Sequence, residues 1–109
     1  MALYLYQLSY TAESWKTQIQ SPQDVRDRVA TASAALGGRL VHAWYSLGDY
    51  DLVAILEYPD NAAVAAGSIV VLAGGALKAG KTTPLLTIEE GMAAMQAAGK
   101  AAGLYRPSV

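Results

Sequence analysis

The residues of this chain that could do chemistry lie in and beside one short turn between two apolar runs. Gly48, Tyr50 and Asp51 lie in the turn, where a phenol can donate a hydrogen bond and a carboxylate can act as a general base. His42 and Trp44 lie in the preceding run, and they add the only imidazole of the chain and a large aromatic surface. An imidazole titrates near neutral pH and can carry a proton. These five residues form the predicted ligand-binding site.

The same turn has a purely structural interpretation. Gly48 would supply the positive φ that a tight turn requires, Asp49 or Asp51 would accept backbone hydrogen bonds, and Tyr50 would cover the edge of the core. His42 has no second histidine with which to hold a metal ion. The sequence therefore predicts no metal and no cofactor, and it assigns no catalytic residue.

A second motif, Gly75 to Thr82, matches the phosphate-binding pattern GxxxxGK[ST]. That pattern binds phosphate where a strand delivers the loop and a helix begins at its Lys-Ser/Thr pair. Here a Thr-Pro-Leu-Leu segment follows, which favours a β-strand in place of the helix. The sequence therefore predicts a glycine-rich loop before an edge strand within Lys81 to Glu89, because Pro84 cannot donate a ladder hydrogen bond.

The apolar runs on either side of the turn, Leu40 to Leu47 and Leu52 to Tyr58, predict a β-hairpin. If Leu47 pairs with Tyr50, alternation separates two faces, and a slip of one residue would exchange them. The apolar face should pack on helices, and the mixed face should meet a partner sheet or a pocket. On this register the mixed face carries Leu40, His42, Trp44, Ser46, Asp51, Val53, Ile55 and Glu57, and the apolar face carries Val41, Ala43, Tyr45, Leu47, Leu52, Ala54 and Leu56.

The elements before the hairpin follow from alternation and from capping signals. Leu3 to Tyr10 reads as the first strand, and Thr11 to Gln20 as a loop or a single helical turn. Ser21, followed by proline, is the expected N-cap of a helix with Asp24 in its first turn. Gly37 and the glycine after it should end that helix.

Two further helices are expected after the hairpin. Asp60 is the predicted N-cap of a helix from Asn61 to about Ala73, which has no charged residue on any face and should be buried or in contact with another subunit. A last helix opens at Ile88.

The segments LGGRL, LGDYDLVAILEYPD and TTPLLTIEE, with an alanine-rich helix between the last two, resemble the GYD-domain family of small bacterial proteins. The resemblance spans roughly Leu3 to Met95, and its signature is Gly48, Tyr50 and Asp51. It implies an α+β, ferredoxin-like βαββαβ subunit with a C-terminal helix, an antiparallel four-stranded sheet and a dimeric α/β-barrel type of assembly. The family has no agreed function, so the resemblance implies architecture more than activity.

Composition predicts one domain over residues 1–109 that assembles with itself. Hydrophobic residues make up 53% of the chain and charged residues 16%, which is few against an average of about a quarter. Leu52 to Leu56 is apolar without alternation, so both sheet faces should be covered, one of them by a second copy. A homodimer or higher homo-oligomer is expected.

Charge and hydropathy disfavour two classes of partner. The net charge is −1, without a basic cluster, so nucleic acid is not an expected partner. No run approaches the roughly 20 apolar residues of a membrane span, and no leader sequence is recognised, so a cytoplasmic location without membrane contact is expected.

Three functions remain open from the sequence. The first is binding of a small organic molecule, either in a pocket between sheet and helices or at the subunit interface. The second is a cofactor-independent enzyme, oxygenase-like or isomerase-like, as the resemblance to dimeric barrels permits by analogy of fold. The third is a structural oligomer that docks a partner protein.

Overall fold

The computed structural model describes all 109 residues as four strands and four helices. Helices α2 and α3 pack against the sheet, whereas α4 makes few contacts with the rest of the chain. In chain order the elements are β1 (Ala2–Tyr10), α1 (Ala12–Gln20), α2 (Val25–Ala34), β2 (Arg39–Tyr45), β3 (Leu52–Tyr58), α3 (Asn61–Ala73), β4 (Leu77–Leu85) and α4 (Ile88–Ala102).

The four strands form one sheet in the order β2-β3-β1-β4, and every neighbouring pair is antiparallel. The connection from β1 to β2 passes beyond β3, and the connection from β3 to β4 passes beyond β1. Each helical crossover therefore joins two strands that have a third strand between them. This split βαβ topology is the ferredoxin-like fold, so the predicted α+β class and strand arrangement are confirmed.

The hairpin pairs in the predicted register near its turn, where Trp44 lies opposite Val53. A bulge at Val41 changes the register farther from the turn, so that Leu40 pairs with Leu56 and packs against the core. The prediction that placed Leu40 on the mixed face is therefore wrong, because an extra residue at a bulge reverses the alternation beyond it. Strand β2 also ends at Tyr45, two residues before the predicted Leu47.

The core lies between the sheet and the helices. Along β3, burial alternates from residue to residue, and Leu52, Ala54, Leu56 and Tyr58 are at most 6% exposed. Ala54, Leu56 and Tyr58 pack with β1 and with Val64 of α3, whereas Leu52 packs with β1 and with Val25 of α2. The predicted helix-facing side of β3 is confirmed. The intervening residues of β3 lie on the opposite face, which no helix covers, and they are only half-buried.

Between β1 and α2 the chain forms a helix that the sequence did not predict. The Thr11 hydroxyl accepts a hydrogen bond from the Ser14 backbone N–H at 3.1 Å and begins α1. Trp15 then packs edge-on against Tyr10, with 5.1 Å between ring centroids. The predicted loop or single helical turn over Thr11 to Gln20 is therefore wrong, since α1 runs over nine residues. The segment is mostly polar because α1 has no buried residue, so no periodic apolar face marked it as a helix.

Helix α2 begins later than the sequence suggested. Ser21 terminates α1, and Asp24 is the N-cap of α2, with its carboxylate accepting from the backbone N–H of Arg26 at 3.0 Å. The Arg26 guanidinium binds the same carboxylate and holds the pKa of Asp24 at about 2. The prediction of Ser21 as N-cap is wrong because the charged acceptor three residues later caps the helix. The helix ends at Ala34, and Gly37, which was predicted to end it, lies in the turn that follows with a φ of +77°.

Helix α3 begins after Asp60 and ends at Ala73, as predicted, and the Asp60 carboxylate accepts from the Ala63 backbone N–H at 2.9 Å. Strand β4 then starts at Leu77, four residues before the expected start. Leu77 to Thr82 of the phosphate motif therefore lie in an edge strand that pairs with β1, only Gly75 and Ala76 precede it, and no helix begins at Lys81. The predicted edge strand is confirmed, with corrected bounds.

Helix α4 extends away from the sheet. A capping box between Thr87 and Glu90 starts it, and none of its residues is buried. The molecule measures 59 × 33 × 22 Å, with a radius of gyration of 17.6 Å, whereas a compact chain of this length has about 13 Å. None of the four helices combines the length and the apolar character that crossing a membrane requires.

Candidate functional site

The uncovered face of the sheet, hereafter the open face, carries side chains in three cross-strand rows. Leu3, Leu5, Val53 and Ile55 make its centre mostly apolar, with Gln7 and Glu57 as the polar exceptions, and Arg39, His42 and Lys81 lie at its edges. Reading from β2 through β3 and β1 to β4, the rows are Arg39–Glu57–Leu3–Leu85, His42–Ile55–Leu5–Thr83 and Trp44–Val53–Gln7–Lys81. Rows form because side chains that are directly opposite on paired strands point to the same face.

His42 and Trp44 lie side by side on the open face of the edge strand β2. Their ring centroids are 5.5 Å apart, and the ring planes are inclined by 31°. His42 is exposed, and Trp44 is 55% exposed. Ile55 and Val53 lie next to them in the same rows and are half-buried. An imidazole, an indole and two branched aliphatic side chains therefore form one continuous surface, which could stack on a planar apolar molecule and hydrogen-bond its polar end.

The first row, at the end of the open face away from the hairpin turn, contains one ion pair. The Arg39 guanidinium donates to the Glu57 carboxylate over 3.0 Å across the β2–β3 pair. Lys81, at the β4 edge of the third row, is exposed. Glu57 was expected on the face of His42, whereas Arg39 lies before the predicted start of the hairpin, and Lys81 reaches this face only through the pairing of β4 with β1. Alternation within β4 was the signal that could have found Lys81.

The other three predicted site residues are in the hairpin tip, which we define as residues 46–51. Gly48 is exposed, with a φ of +116°, the left-handed geometry that the turn requires. Asp51 accepts a hydrogen bond from the backbone N–H of Tyr10 at 2.8 Å through its carboxylate, and its own N–H donates to the Leu8 carbonyl at 2.7 Å. The backbone oxygen of Tyr50 accepts from the Ser46 hydroxyl at 2.8 Å.

These bonds fasten the hairpin tip to the end of β1. The Ser9 hydroxyl adds another by donating to the Asp49 carbonyl at 2.6 Å, and Ser9 is only 2% exposed. The five predicted residues thus occupy two places. His42 and Trp44 lie on the open face, and Gly48, Tyr50 and Asp51 lie in a tip whose hydrogen bonds go to β1 or stay within the tip.

Close to the tip, Tyr10 joins the end of β1 to α1. Burial raises the pKa of Tyr10, the nearby Tyr45 and Asp51 raise it further, and Arg28 acts in the opposite direction. Burial also raises the pKa of Tyr6, on the helix-facing side of the same strand, against a smaller opposing effect of its contact with the Ser68 hydroxyl. Both phenols are therefore held in the neutral form, so neither is prepared to act as a base.

A small cavity lies between the sheet and helices α2 and α3. Its volume is about 50 Å³, and its lining is mostly apolar, with the hydroxyl-bearing Tyr6, Ser33, Tyr58 and Ser68 among the exceptions. Inside it, Tyr58 donates to the Ser33 hydroxyl at 3.2 Å. Drug-sized ligands occupy sites of roughly 300–1,000 Å³, so the interior has room for about one or two waters rather than an organic molecule.

The topology and the open face define a ferredoxin-like α+β protein with one uncovered sheet face. The family model of the GYD domain matches residues 4–95, which is most of the chain. The chain therefore belongs to the GYD-domain family, as the resemblance in Gly48, Tyr50 and Asp51 indicated.

Among solved structures, the crystal structure of MtbAldR (Rv2779c) is similar to this chain, with a TM-score of 0.50 at 11% sequence identity. The similarity covers 79% of this chain and 52% of the other, so this chain spans about half the length of that relative. At this identity the similarity shows the fold alone. No curated protein matches the chain.

Proposed function

We propose that this bacterial, cytoplasmic protein acts as a homodimer that binds a small, mostly apolar organic molecule between the open faces of two copies. The observation that carries the proposal is the surface around His42 and Trp44, where two aromatic rings 5.5 Å apart adjoin the half-buried Ile55 and Val53. This surface would provide stacking area, apolar contact and one titratable hydrogen-bonding group, the combination that small-molecule sites use.

The dimer follows from the apolar centre of the open face. Leu3 is 39% exposed, and Val53 and Ile55 are half-buried in a single protomer. A second sheet stacked about 10 Å away would remove these side chains from water. Only 13 of the 109 residues are buried in one protomer, so most of the apolar content has to be covered by another chain.

An interface site agrees better with the available space than an interior site does. The cavity between sheet and helices, at about 50 Å³, is too small for an organic ligand. Two facing sheets whose edges carry His42, Arg39 and Lys81 would enclose an apolar space with polar ends. In this arrangement Gly48, Tyr50 and Asp51 would contribute indirectly, because the tip that follows Trp44 and β2 is fastened to the end of β1.

Native mass spectrometry tests this proposal directly, because it reports subunit number and any retained molecule together. We expect a homodimer, or a multiple of one, that carries a discrete additional mass, and the same molecule should be absent from the denatured sample. A monomer, or a dimer that binds no compound from a library of planar apolar acids and phenols, would contradict the proposal.

Tryptophan fluorescence locates the site once a ligand is found. A Trp15→Phe variant leaves Trp44 as the single indole, because the chain has two tryptophans, and the ligand should quench its emission. Trp44→Ala should abolish binding, whereas Trp15→Phe should bind as the native protein does. If the ligand still quenches the fluorescence of the Trp44→Ala variant, in which Trp15 is the single tryptophan, the ligand binds elsewhere.

The enzyme alternative makes a separate prediction that rests on His42. If the bound molecule is a substrate, His42→Ala should abolish turnover while the ligand still quenches Trp44, because the imidazole would act on a proton rather than supply most of the binding area. If the native protein returns the bound molecule chemically unaltered, the result would favour a binding function over an enzymatic one.

A further inference from the structure

Helix α4 presents an apolar stripe that nothing in the protomer covers. Ile88, Met92 and Met95 recur at helical spacing and are 76%, 53% and 67% exposed. The charged and amide residues Glu89, Gln96 and Lys100 lie together on a neighbouring side of the helix. A helix with this division normally buries its apolar side against another element.

The protomer itself is poorly placed to cover the stripe. Only Leu86 and Thr87 connect β4 to α4, and the Thr87 hydroxyl and the Glu90 carboxylate hold the first turn in a capping box with bonds of 3.0 Å. The direction of α4 is therefore set at its start. That direction leads away from the sheet, as the 59 Å long axis of the molecule shows.

The amount of exposed surface points to more than one contact with other chains. The accessible area is 7662 Å², whereas a compact monomer of this mass exposes about 5,800 Å². The excess is roughly 1,900 Å², and a standard interface buries about 800 Å² from each partner. The open face alone would account for about one such contact, so a second surface of similar size remains.

A groove between α3 and β4 is suited to receive a helix. Its volume is about 360 Å³, and Tyr4, Val64, Ala65, Ile69 and Pro84 line it together with the polar but uncharged Asn61, Ser68 and Thr82. Ile69 is 66% exposed at its rim. Helix α3 carries no charged residue, so an apolar helix could lie against it without leaving a charge unpaired. The groove and the stripe on α4 are thus two uncharged surfaces that can meet without burying a charge.

We propose that α4 is an exchanged arm, whose Ile88–Met92–Met95 stripe lies in the α3–β4 groove of a second copy of this chain. The exchange is reciprocal, because each copy has one arm and one groove, and two-fold assembly uses both. This contact is separate from the open face and does not rest on the proposed ligand site.

The first test removes the apolar character of the stripe. The double variant Met92→Gln, Met95→Gln should assemble with at most half as many subunits as the native protein, as measured by native mass spectrometry. Its helical circular dichroism signal should stay unchanged. The matched control, Ala93→Gln with Ala97→Gln, adds the same groups on the opposite side of α4 and should keep the native mass. An unchanged mass in the stripe variant would overturn the proposal.

A second test locates the receiving surface. The chain has no cysteine, so single cysteines report single positions. Met92→Cys in one chain and Ile69→Cys in a mass-tagged chain should be joined by a short bismaleimide after the chains are mixed. The control pair, Met92→Cys with Val70→Cys, should not be joined, because Val70 is comparably exposed, at 56%, but does not line the groove.

Two outcomes of the second test count against the proposal. Joining of Met92→Cys chains to one another, without joining to Ile69→Cys, would mean that two arms pair and the groove is not the receiver. No joining in any mixture would mean that the stripe is covered by something other than a second copy.

A ligand that still quenches Trp44 in the arm variants would show that the ligand site stands without the exchange.

Discussion

Among single residues, tyrosine hydroxyls decide much of the packing between helices and sheet. Tyr58 is 2% exposed, and its hydroxyl lies where a side chain on Gly67 would have to be. A Cβ at position 67 would be 2.8 Å from that oxygen, which is closer than buried atoms tolerate. The glycine in an otherwise apolar helix is thus explained by one hydroxyl on the neighbouring strand.

This contact predicts that a change at Tyr58 reduces the cost of a change at Gly67. Gly67→Ala should lower the free energy of unfolding by about 1–3 kcal/mol through overpacking. In a Tyr58→Phe background the same change should cost less, because the clashing oxygen is gone and the next atom is 3.4 Å away. Urea denaturation of the four proteins in the cycle measures the coupling. Additive costs would contradict the explanation, and Gly99→Ala, which meets nothing within 4 Å, is the control.

Asp51 gives a second prediction at this scale. Asp51→Ala should destabilise the protein by about 1–3 kcal/mol, because the backbone N–H of Tyr10 loses its acceptor. Asp51→Asn retains an oxygen and should cost less. Asp49→Ala is the matched control, since only the backbone oxygen of Asp49 receives a hydrogen bond from the rest of the chain. Equal midpoints for the alanine variants in chemical denaturation would contradict this role.

Buried phenols make stability depend on alkaline pH. Burial raises the pKa of Tyr6 and Tyr10 above 10.0, so folding favours their neutral forms. Their contribution is fully present below pH 10 and is lost as the pH rises through the raised values. We expect Tyr6→Phe to flatten the loss of stability above pH 10, as followed by denaturation at several pH values. Tyr105→Phe, at an exposed position, should leave the alkaline slope unchanged.

At the scale of elements, β3 divides its two faces between folding and assembly. Ala54, at 4% exposure, faces the helices, whereas Val53 faces the open side. Ala54→Asp should prevent folding, because an unpaired charge would be buried in the core. Val53→Asp should leave the circular dichroism spectrum native-like but halve the native mass. A Val53→Asp protein that retains the native mass would contradict assembly through the open face.

The bounds and pairing of the elements differ in how far local sequence could predict them. The bounds of α3 followed from Asp60, and the approximate end of α2 from Gly37, because caps act within a few residues. The bulge at Val41 and the helix over Ala12–Gln20 were missed, since neither has a distinctive local pattern. Likewise, the sequence placed His42, Trp44 and Glu57 on one face but could not show that Lys81 shares it, because that depends on pairing between distant strands.

For the whole molecule, stability should depend on protein concentration. If two contacts per chain complete the core, dissociation accompanies unfolding, and each tenfold increase in concentration adds about 1.4 kcal/mol per dimer. For two chains of this length, that corresponds to about 3 °C in the thermal midpoint. Differential scanning calorimetry over two decades of concentration measures the slope. A midpoint independent of concentration would indicate a protomer that is stable alone, and Val53→Asp should reduce the slope.

The position of β1 between β3 and β4 has a consequence for biosynthesis. Leu8 pairs with Leu52 on one side and with Gly80 on the other, so β1 leaves the ribosome well before either of its neighbouring strands. At about 5–20 residues per second, an alternating leucine and tyrosine segment waits several seconds with two unpaired edges. Such segments are prone to cross-β association. The nascent chain should therefore be a better client for a chaperone than the finished protein is.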